Sequence, residues 1–267
     1  MSKYVHGYSE REKTRLEDQA NTLDNLLHHD TVWDKGETIL EAGCGVGAQT
    51  QIIAPKNPTS HFTSVDISVD SIIKAKQTME VADIKNVRFQ VADIFDLPFE
   101  SESFDHIFVC FVLEHLSEPI KALHELKRVL RKGGSITVIE GDHGSTYFYP
   151  RSDEAEKAIK CQVELMKRNG GNALIGRELY PLLNQSGFQA ISVSPRMVYV
   201  DNSKPQLVEG FTKNTFTAMI EGVRENSLKA GLVPEAVFDK GVADLYRTTK
   251  ENGVFCYTFF KAKAYKQ

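Results

Sequence analysis

The sequence predicts an α/β protein of the Rossmann-like, doubly wound class, with a mostly parallel seven-stranded sheet, helices on both faces and added helical lid segments. Two observations predict this fold. Short apolar runs alternate with segments of helical periodicity between residues 38 and 140, which is typical of right-handed βαβ units. A glycine-rich turn, Gly43-Cys44-Gly45-Val46-Gly47, also separates the first apolar run from the helix that follows it.

The predicted strands are short apolar or alternating runs. They cover residues 38–40, 62–65, 87–91, 106–110, 135–140, 190–200 and 254–261. The predicted helices carry apolar residues at helical spacing. They cover residues 15–29, 49–54, 72–79, 118–130, 153–168, 177–185, 211–228 and 235–246. A basic turn and two glycines at residues 131–134 predict a glycine C-cap for the helix 118–130.

Composition and charge narrow the functional class. The chain has 267 residues, a net charge of −4 and no long basic run, so a nucleic-acid partner is not indicated. No apolar run is long enough to cross a bilayer, and the polar residues 1–15 do not form a signal peptide. The four cysteines form no CxxC pair, so neither a zinc site nor a disulfide framework is expected. Together these observations predict a cytoplasmic protein without a metal site.

The glycine turn predicts a binding site for a nucleotide-like cofactor. Glycine has no Cβ, so a ligand can approach the backbone, and the N–H groups at the start of the next helix face that ligand. Two patterns fit the same residues. Gly43-x-Gly45-x-x-Ala48 is the dinucleotide fingerprint, whereas Glu41-x-Gly43-x-Gly45-x-Gly47 resembles motif I of the class I S-adenosylmethionine-dependent methyltransferases.

Four features favour the methyltransferase pattern. Glu41 precedes the glycines, and Asp93 follows the third strand in the run Val91-Ala92-Asp93-Ile94. Residues 96–116, which contain the fourth strand, resemble the same segment of small-molecule methyltransferases, including those of ubiquinone and menaquinone biosynthesis. Residues 126–134 resemble that family's corner between a helix and the fifth strand. The chain therefore resembles the small-molecule type of this family over residues 37–140 and 179–188.

This resemblance implies a role for each matching residue. Gly43, Gly45 and Gly47 would let the backbone pass close to the methionine part of S-adenosylmethionine, with Glu41 beside them. Asp66 ends the second strand, roughly 20 residues beyond the turn, and would hold the ribose. The adenine would lie against Ile67, Asp93 and Ile94, and the methionine part would lie against Cys110 and Phe111.

The implied activity is the transfer of a methyl group from S-adenosylmethionine to a small molecule by in-line displacement. One alternative is an NAD-dependent oxidoreductase, because the dinucleotide fingerprint also fits. Another is a protein that binds S-adenosylmethionine without transferring its methyl group. A protein or nucleic-acid methyltransferase is a third. The weakly acidic charge disfavours nucleic acid, and Phe111-Val112-Leu113-Glu114 stands where an Asn/Asp-Pro-Pro-Tyr/Phe-like motif would indicate amino methylation of bases.

The acceptor is expected over the carboxyl ends of the strands, beside the cofactor. Asp142-His143, after the fifth strand, is the candidate acid–base pair, because a histidine titrates near neutrality. The alternative is that His143 only hydrogen-bonds within a loop. The aromatic run Tyr147-Phe148-Tyr149 suits an apolar or aromatic acceptor. The acceptor atom, and the choice between a monomer and a homodimer, stay open.

Three regions can reach this acceptor site and cover it. They are the N-terminal segment 4–11, the loop 140–149 and the helical insertion 204–250. We therefore divide the chain into an N-terminal helical lid segment (1–36), a cofactor-binding core (37–203 and 252–267) and a helical insertion that acts as a substrate lid (204–251).

Overall fold

The structure is a computed structural model that describes residues 19–20 and 22–267. The predicted lid segment 4–11 lies outside these residues. The strands are β1 (Thr38–Ala42), β2 (His61–Asp66), β3 (Val87–Val91), β4 (Phe104–Cys110), β5 (Leu130–Tyr149), β6 (Gln189–Val200) and β7 (Val254–Tyr265). They form one seven-stranded sheet in the order β3-β2-β1-β4-β5-β7-β6.

The helices surround this sheet. They are α1 (22–28), α2 (Thr50–Lys56), α3 (Val69–Val81), α4 (Pro119–Val129), α5 (Asp153–Arg168), α6 (Leu179–Gln185), α7 (Pro205–Leu207), α8 (Ala218–Gly222), α9 (Arg224–Lys229) and α10 (Glu235–Arg247). Two 3₁₀ turns occupy Leu113–His115 and Ile175–Glu178, and a π-helix at Val208–Thr217 joins α7 to α8. No helix in the described part of the chain is both long and apolar enough to cross a membrane.

The sheet is mostly parallel, which confirms the predicted fold class. β1 pairs in parallel with β2 and β4, β2 with β3, and β4 with β5. Only β7 runs the other way, because it inserts antiparallel between β5 and β6. The other six strands therefore end at the same edge of the sheet, where open α/β folds bind their ligands.

Alternate residues of the central strands supply two separate hydrophobic cores, one on each face of the sheet. Ile39 and Phe108 belong to the core shared with α1, α2, α5 and α10. Leu40, Ile107 and Val109 belong to the core shared with α4 and α6. This alternation follows from the two-residue period of a strand, and it shows that the sheet is buried on both faces.

Two predictions around the fifth strand are wrong. α4 ends at Val129, and Leu130 already begins β5, so residues 131–134 are strand and not a glycine cap. Gly133, with a φ of +78°, donates to the carbonyl of Lys266, and Gly134 accepts from the N–H of Lys266, so these residues bond to the chain just beyond β7. Residues 140–149 are likewise not a loop. They continue β5 and pair with β7, with an irregularity between Asp142 and Tyr147.

Two further predictions need adjustment. β6 is not interrupted by Pro195, which pairs with Phe260 in an unbroken strand. β6 lies at the edge of the sheet, where a proline without an N–H is tolerated. The helix predicted at 211–228 is three segments: the end of the π-helix, α8 and α9.

Candidate functional site

A cavity of about 1080 Å³ opens at the carboxyl ends of the parallel strands. Ligand pockets are usually about 300–1,000 Å³, so this cavity has room for more than one small molecule. Its wall includes most of the residues that the sequence predicts for the site. Among these are Gly43, Gly45, Asp66, Ile67, Asp93, Ile94, Cys110, Phe111 and His143.

The glycine turn has the conformation that its composition predicts. Gly43, Gly45 and Gly47 have φ values of +81°, +52° and +84°, which side chains rarely adopt. A Cβ on Gly43 would lie 2.4 Å from Cγ2 of Val112, and one on Gly47 would lie 3.2 Å from Cβ of Ala75. A Cβ on Gly45 would meet nothing within 4 Å. Gly43 and Gly47 therefore permit packing, whereas Gly45 leaves the backbone open to the cavity.

Asp66 holds the middle of this turn. Its Oδ2 accepts a hydrogen bond from the N–H of Gly45 at 2.8 Å, and its Oδ1 accepts from the N–H of Ser68 at 2.9 Å. Burial raises the pKa of Asp66, and these backbone hydrogen bonds oppose the rise. The same carboxylate thus fixes the turn and faces the cavity.

Glu41 lies behind the turn rather than on the cavity wall. It is fully buried, and its Oε2 accepts from the hydroxyls of Thr50 on α2 at 2.7 Å and Ser64 on β2 at 2.6 Å. Burial raises its pKa to about 7. Glu41 thus ties α2 to the central strands beneath the glycines.

Residues just after β2 and β3 form two further parts of the cavity wall. Ile67 is 47% exposed although it is apolar, and it lines the cavity. Just beyond β3, Oδ1 of Asp93 accepts from the N–H of Phe95 at 2.9 Å, and Ile94, the residue between them in the chain, also lines the cavity. A flat apolar group with polar edges would therefore meet apolar side chains and a carboxylate here.

The end of β4 is strained. Phe111 has a φ of +58°, which is uncommon for an aromatic residue, and its N–H donates to the carbonyl of Ile139 at 2.9 Å. Such conformations persist when the surrounding contacts enforce them, and they cluster at functional sites. Burial raises the pKa of the neighbouring Cys110 thiol well above its usual value. That thiol stays protonated and is a poor nucleophile.

The structure separates the two members of the predicted acid–base pair. Asp142 accepts from Nε and Nη2 of Arg177, both at 2.8 Å, in a bidentate ion pair. His143 instead places Nδ1 2.7 Å from the phenol oxygen of Tyr257. Asp142 does not line the cavity, whereas His143 and Tyr257 do. The partner of the His143 ring at Nδ1 is therefore Tyr257.

Aromatic and sulfur-containing side chains close the cavity beyond His143. They come from the π-helix, α8, α5 and β7, and they are Phe211, Phe216, Met219, Met166, Tyr257 and Phe259. The Tyr257 ring centroid lies 5.5 Å from that of Phe216 and 4.7 Å from that of Phe259. The sequence analysis did not select these residues. Their only signal was the aromatic content of the insertion and of the last strand.

No cluster of three or more potential metal ligands occurs in residues 19–20 and 22–267. The polar groups of the cavity instead suit an organic molecule. Asp66 and Asp93 offer carboxylates at the ends of two adjacent strands, Gly45 leaves the backbone open, and the His143 ring centroid lies 6.1 Å from that of Phe216.

Comparison with known proteins identifies methyltransferases as relatives of this chain. A family model for a methyltransferase domain matches residues 33–187, which is more than half of the chain. An uncharacterised methyltransferase of Schizosaccharomyces pombe is 32% identical over 180 residues, which cover 60% of the chain and 64% of that protein. A demethylmenaquinone methyltransferase of Staphylococcus aureus is 33% identical over 107 residues, which cover 40% of the chain and 44% of that protein.

The chain thus spans less than two thirds of the length of these relatives. Among solved structures, the [4+2]-cyclase SpnF superposes with a TM-score of 0.57 at 18% identity, covering 94% of the chain and 80% of that protein. At this identity the likeness concerns the fold alone. The fold is therefore shared with a protein that is named as a cyclase, whereas the relatives above are named as methyltransferases.

Proposed function

Because the chain belongs to the class I S-adenosylmethionine-dependent methyltransferases, we propose that it transfers a methyl group from S-adenosylmethionine to a small apolar or aromatic acceptor. The observation that carries this proposal is one continuous cavity, in which the glycine turn and the strand-end acids share a wall with His143 and an aromatic end. An oxidoreductase has no comparable support.

The residues present fit the cofactor. Gly45 leaves the backbone open, Asp66 and Asp93 offer carboxylate oxygens, and Ile67 and Ile94 offer apolar surface. We assign the ribose to Asp66 and the adenine to the other three side chains, with Cys110 and Phe111 bordering the methionine part. Bound S-adenosylmethionine supplies a methyl group on a positively charged sulfur, which is already activated for displacement.

The chain's own contribution is alignment and exclusion of water. The aromatic end removes the acceptor from solvent, and residues 204–251 act as its lid. Where the acceptor must lose a proton, we assign that proton to the ring of His143, oriented by Tyr257 through Nδ1. Asp142 binds Arg177, so we assign it to joining β5 to the 3₁₀ turn Ile175–Glu178 and not to contact with the acceptor.

The charges around the aromatic end favour an acceptor without a phosphate or carboxylate. The two lysines that line the cavity, Lys74 and Lys121, belong to α3 and α4, and Nζ of Lys121 lies 5.5 Å from the Phe95 ring beside Asp93. Within the described ranges, no lysine or arginine of the cavity wall belongs to the π-helix, α8 or β7. An anionic acceptor would therefore lack a counter-charge at that end.

Calorimetry tests the cofactor assignment directly. The wild-type protein should bind S-adenosylhomocysteine and should not bind NAD⁺. Binding of NAD⁺ alone would overturn the proposal. For the acceptor end, 2-naphthol and 2-naphthyl phosphate are matched probes that differ in charge. The protein saturated with S-adenosylhomocysteine should bind the alcohol more tightly, and preference for the phosphate contradicts an apolar site.

The role of His143 needs an acceptor that the wild-type protein methylates. With such an acceptor, His143→Ala should lower turnover by about 100-fold, the size typical of general-base catalysis, and should leave the affinity for S-adenosylhomocysteine unchanged. His124→Ala is the matched control, because His124 is exposed on α4 and does not line the cavity. Equal turnover of the two variants would refute the role of His143 as the base.

A cytoplasmic location also stays a proposal, consistent with four free cysteines.

A further inference from the structure

Glu140 is a buried carboxyl group that the assigned activity does not use. It lies on β5, with no exposed surface, and it does not line the cavity. Its Oε1 accepts two backbone hydrogen bonds, from the N–H of Val112 at 3.0 Å and from that of Leu113 at 2.7 Å. One oxygen of β5 therefore holds two consecutive residues just beyond the end of β4.

The segment that Glu140 holds is part of the cavity wall. Phe111, with its φ of +58°, immediately precedes Val112. Val112 packs so closely on the glycine turn that a Cβ on Gly43 would lie 2.4 Å from its Cγ2. A shift of Val112 would therefore move the surface against which Gly43 rests. Glu140 is thus connected to the glycine turn through a single residue.

The second oxygen of Glu140 differs from the first. Oε2 is buried and has no hydrogen-bond partner among the described residues. Burial raises the pKa of this carboxyl group well above its usual value, and the charge of Glu114 raises it further, against the backbone hydrogen bonds. Two further titratable groups that interact electrostatically with Glu140 are Cys110 on β4 and Tyr257 on β7. Each of these would carry a negative charge if ionised.

A neutral acid suits this environment better than a carboxylate. Its carbonyl oxygen can accept both N–H groups, and its hydroxyl oxygen carries no charge that would need solvation. A carboxylate would leave a charged oxygen without any donor beside Glu114. Both forms can accept the two N–H groups at Oε1, where the carboxylate would bind them more strongly, but only the neutral form avoids burying a charge at Oε2 without a donor.

We infer that Glu140 is a positioning residue of the methyl-donor site, which acts as an uncharged acid through Val112 and Leu113 to hold the end of β4 against the glycine turn. This inference rests on the proposed function for its consequence, the affinity for the cofactor. The backbone clamp itself exists without a ligand.

Three variants separate the shape of Glu140 from its charge. Glu140→Gln keeps an acceptor at Oε1 and cannot ionise. Glu140→Leu keeps a similar volume but removes the acceptor. Glu140→Asp keeps the carboxyl group but shortens the side chain by one methylene, and it serves if the leucine variant does not fold. Asp244→Leu is the control, because Asp244 is a buried acid that binds Ser152 and Lys240 and does not line the cavity.

Calorimetry with S-adenosylhomocysteine gives the first readout. Glu140→Gln should bind within about threefold of the wild-type Kd, and both proteins should show the same pH profile from pH 6 to 8. Glu140→Leu and Glu140→Asp should raise Kd by about tenfold or more, which corresponds to about 1.4 kcal/mol. Asp244→Leu should lower stability without changing Kd. A glutamine variant as weak as the leucine variant would overturn the uncharged form.

Amide hydrogen exchange gives the second readout, without any ligand. In Glu140→Leu and Glu140→Asp, the amides of Val112 and Leu113 should exchange at least about tenfold faster relative to the amides of β1. In Glu140→Gln they should stay protected. Unchanged exchange in the leucine and aspartate variants would overturn the positioning role. If the wild-type protein binds no S-adenosylhomocysteine, the proposed function fails, and this exchange experiment still decides the clamp.

Discussion

The phenol oxygen of Tyr257 lies 2.7 Å from Nδ1 of His143, so β7 supplies the partner for a cavity residue of β5. A glycine makes this contact possible. A Cβ on Gly141 would lie 2.3 Å from the same phenol oxygen. The residue two positions before His143 must therefore lack a side chain for Tyr257 to reach the ring.

The close approach of Tyr257 to Gly141 predicts that substitutions at these two positions change the stability non-additively. Gly141→Ala should destabilise the protein by about 2 kcal/mol, because overpacking of a core costs about 1–3 kcal/mol. Tyr257→Phe should cost about 1 kcal/mol through the lost hydrogen bond. Since the phenylalanine lacks the clashing oxygen, the double variant should be about 1 kcal/mol more stable than the sum predicts. Urea denaturation measures all four free energies of unfolding, and strict additivity contradicts the clash.

A pair of glycines tests where the cofactor lies. Gly45 and Gly36 both have positive φ values, and a Cβ on either would meet no atom within 4 Å. Alanine at either position should cost about 1 kcal/mol of stability through backbone strain. Only Gly45 lines the cavity. Gly45→Ala should therefore raise the Kd for S-adenosylhomocysteine by about tenfold, or about 1.4 kcal/mol, and Gly36→Ala should leave it unchanged. Equal affinities would place the ligand elsewhere.

The burial of Glu41 predicts a specific pH dependence of stability. Its pKa rises from 4.5 to about 7 on folding. Below pH 4.5 both states are protonated. Between pH 4.5 and 7 only the unfolded state releases the proton, so the folded state loses stability as pH rises, by about 3 kcal/mol in total. The loss is complete above pH 7.

Glu41→Gln removes this titration and keeps an acceptor for Thr50 and Ser64. The free energy of unfolding of the wild-type protein, measured relative to this variant, should therefore fall by about 3 kcal/mol between pH 4.5 and pH 7. Denaturant titrations at pH 4.5, 5.5, 6.5 and 7.5 measure it. Parallel pH profiles of the two proteins would show that Glu41 is ionised at neutral pH in both states.

Lys261 is a buried cation, and we predict that replacing it lowers the stability of the protein strongly. Its Nζ donates to the carbonyl of Leu27 at 3.0 Å, to Oδ1 of Asp30 at 2.6 Å and to Oγ1 of Thr31 at 2.7 Å, so β7 holds the end of α1. Lys261→Met removes these three hydrogen bonds and the charge that faces Asp30, and it should cost about 2 kcal/mol. Lys56→Met, which breaks the partly exposed pair with Asp24, should cost at most about 0.5 kcal/mol. Equal losses in thermal unfolding would contradict this difference.

The sequence predicted those elements whose signal is local. The strands β1 to β4 and the turn at Gly43 depend on residues that stand next to each other, and the structure has them within a few residues of the expected bounds. The positions of Asp66 and Asp93 on the cavity wall were predictable for the same reason, because Asp66 ends β2 and Asp93 follows two residues after β3.

The errors concern residues whose partners are distant in the chain. Residues 140–149 contain glycines and polar residues that suit a loop, but β7 provides a ladder more than 100 residues later. Asp142 and His143 are adjacent in the chain and so suggested a pair. Arg177 and Tyr257 are the partners that folding supplies instead.

The position of β7 also has a consequence for the order of folding. β7 is the last described strand, yet it lies between β5 and β6, and β6 has no other partner in the described sheet. During synthesis, the part of β5 beyond the end of β4 and all of β6 therefore have no strand to pair with until β7 has been made. The parallel half can form first. We expect nascent chains that stop before residue 254 to hold a folded half-sheet beside an exposed, aggregation-prone edge.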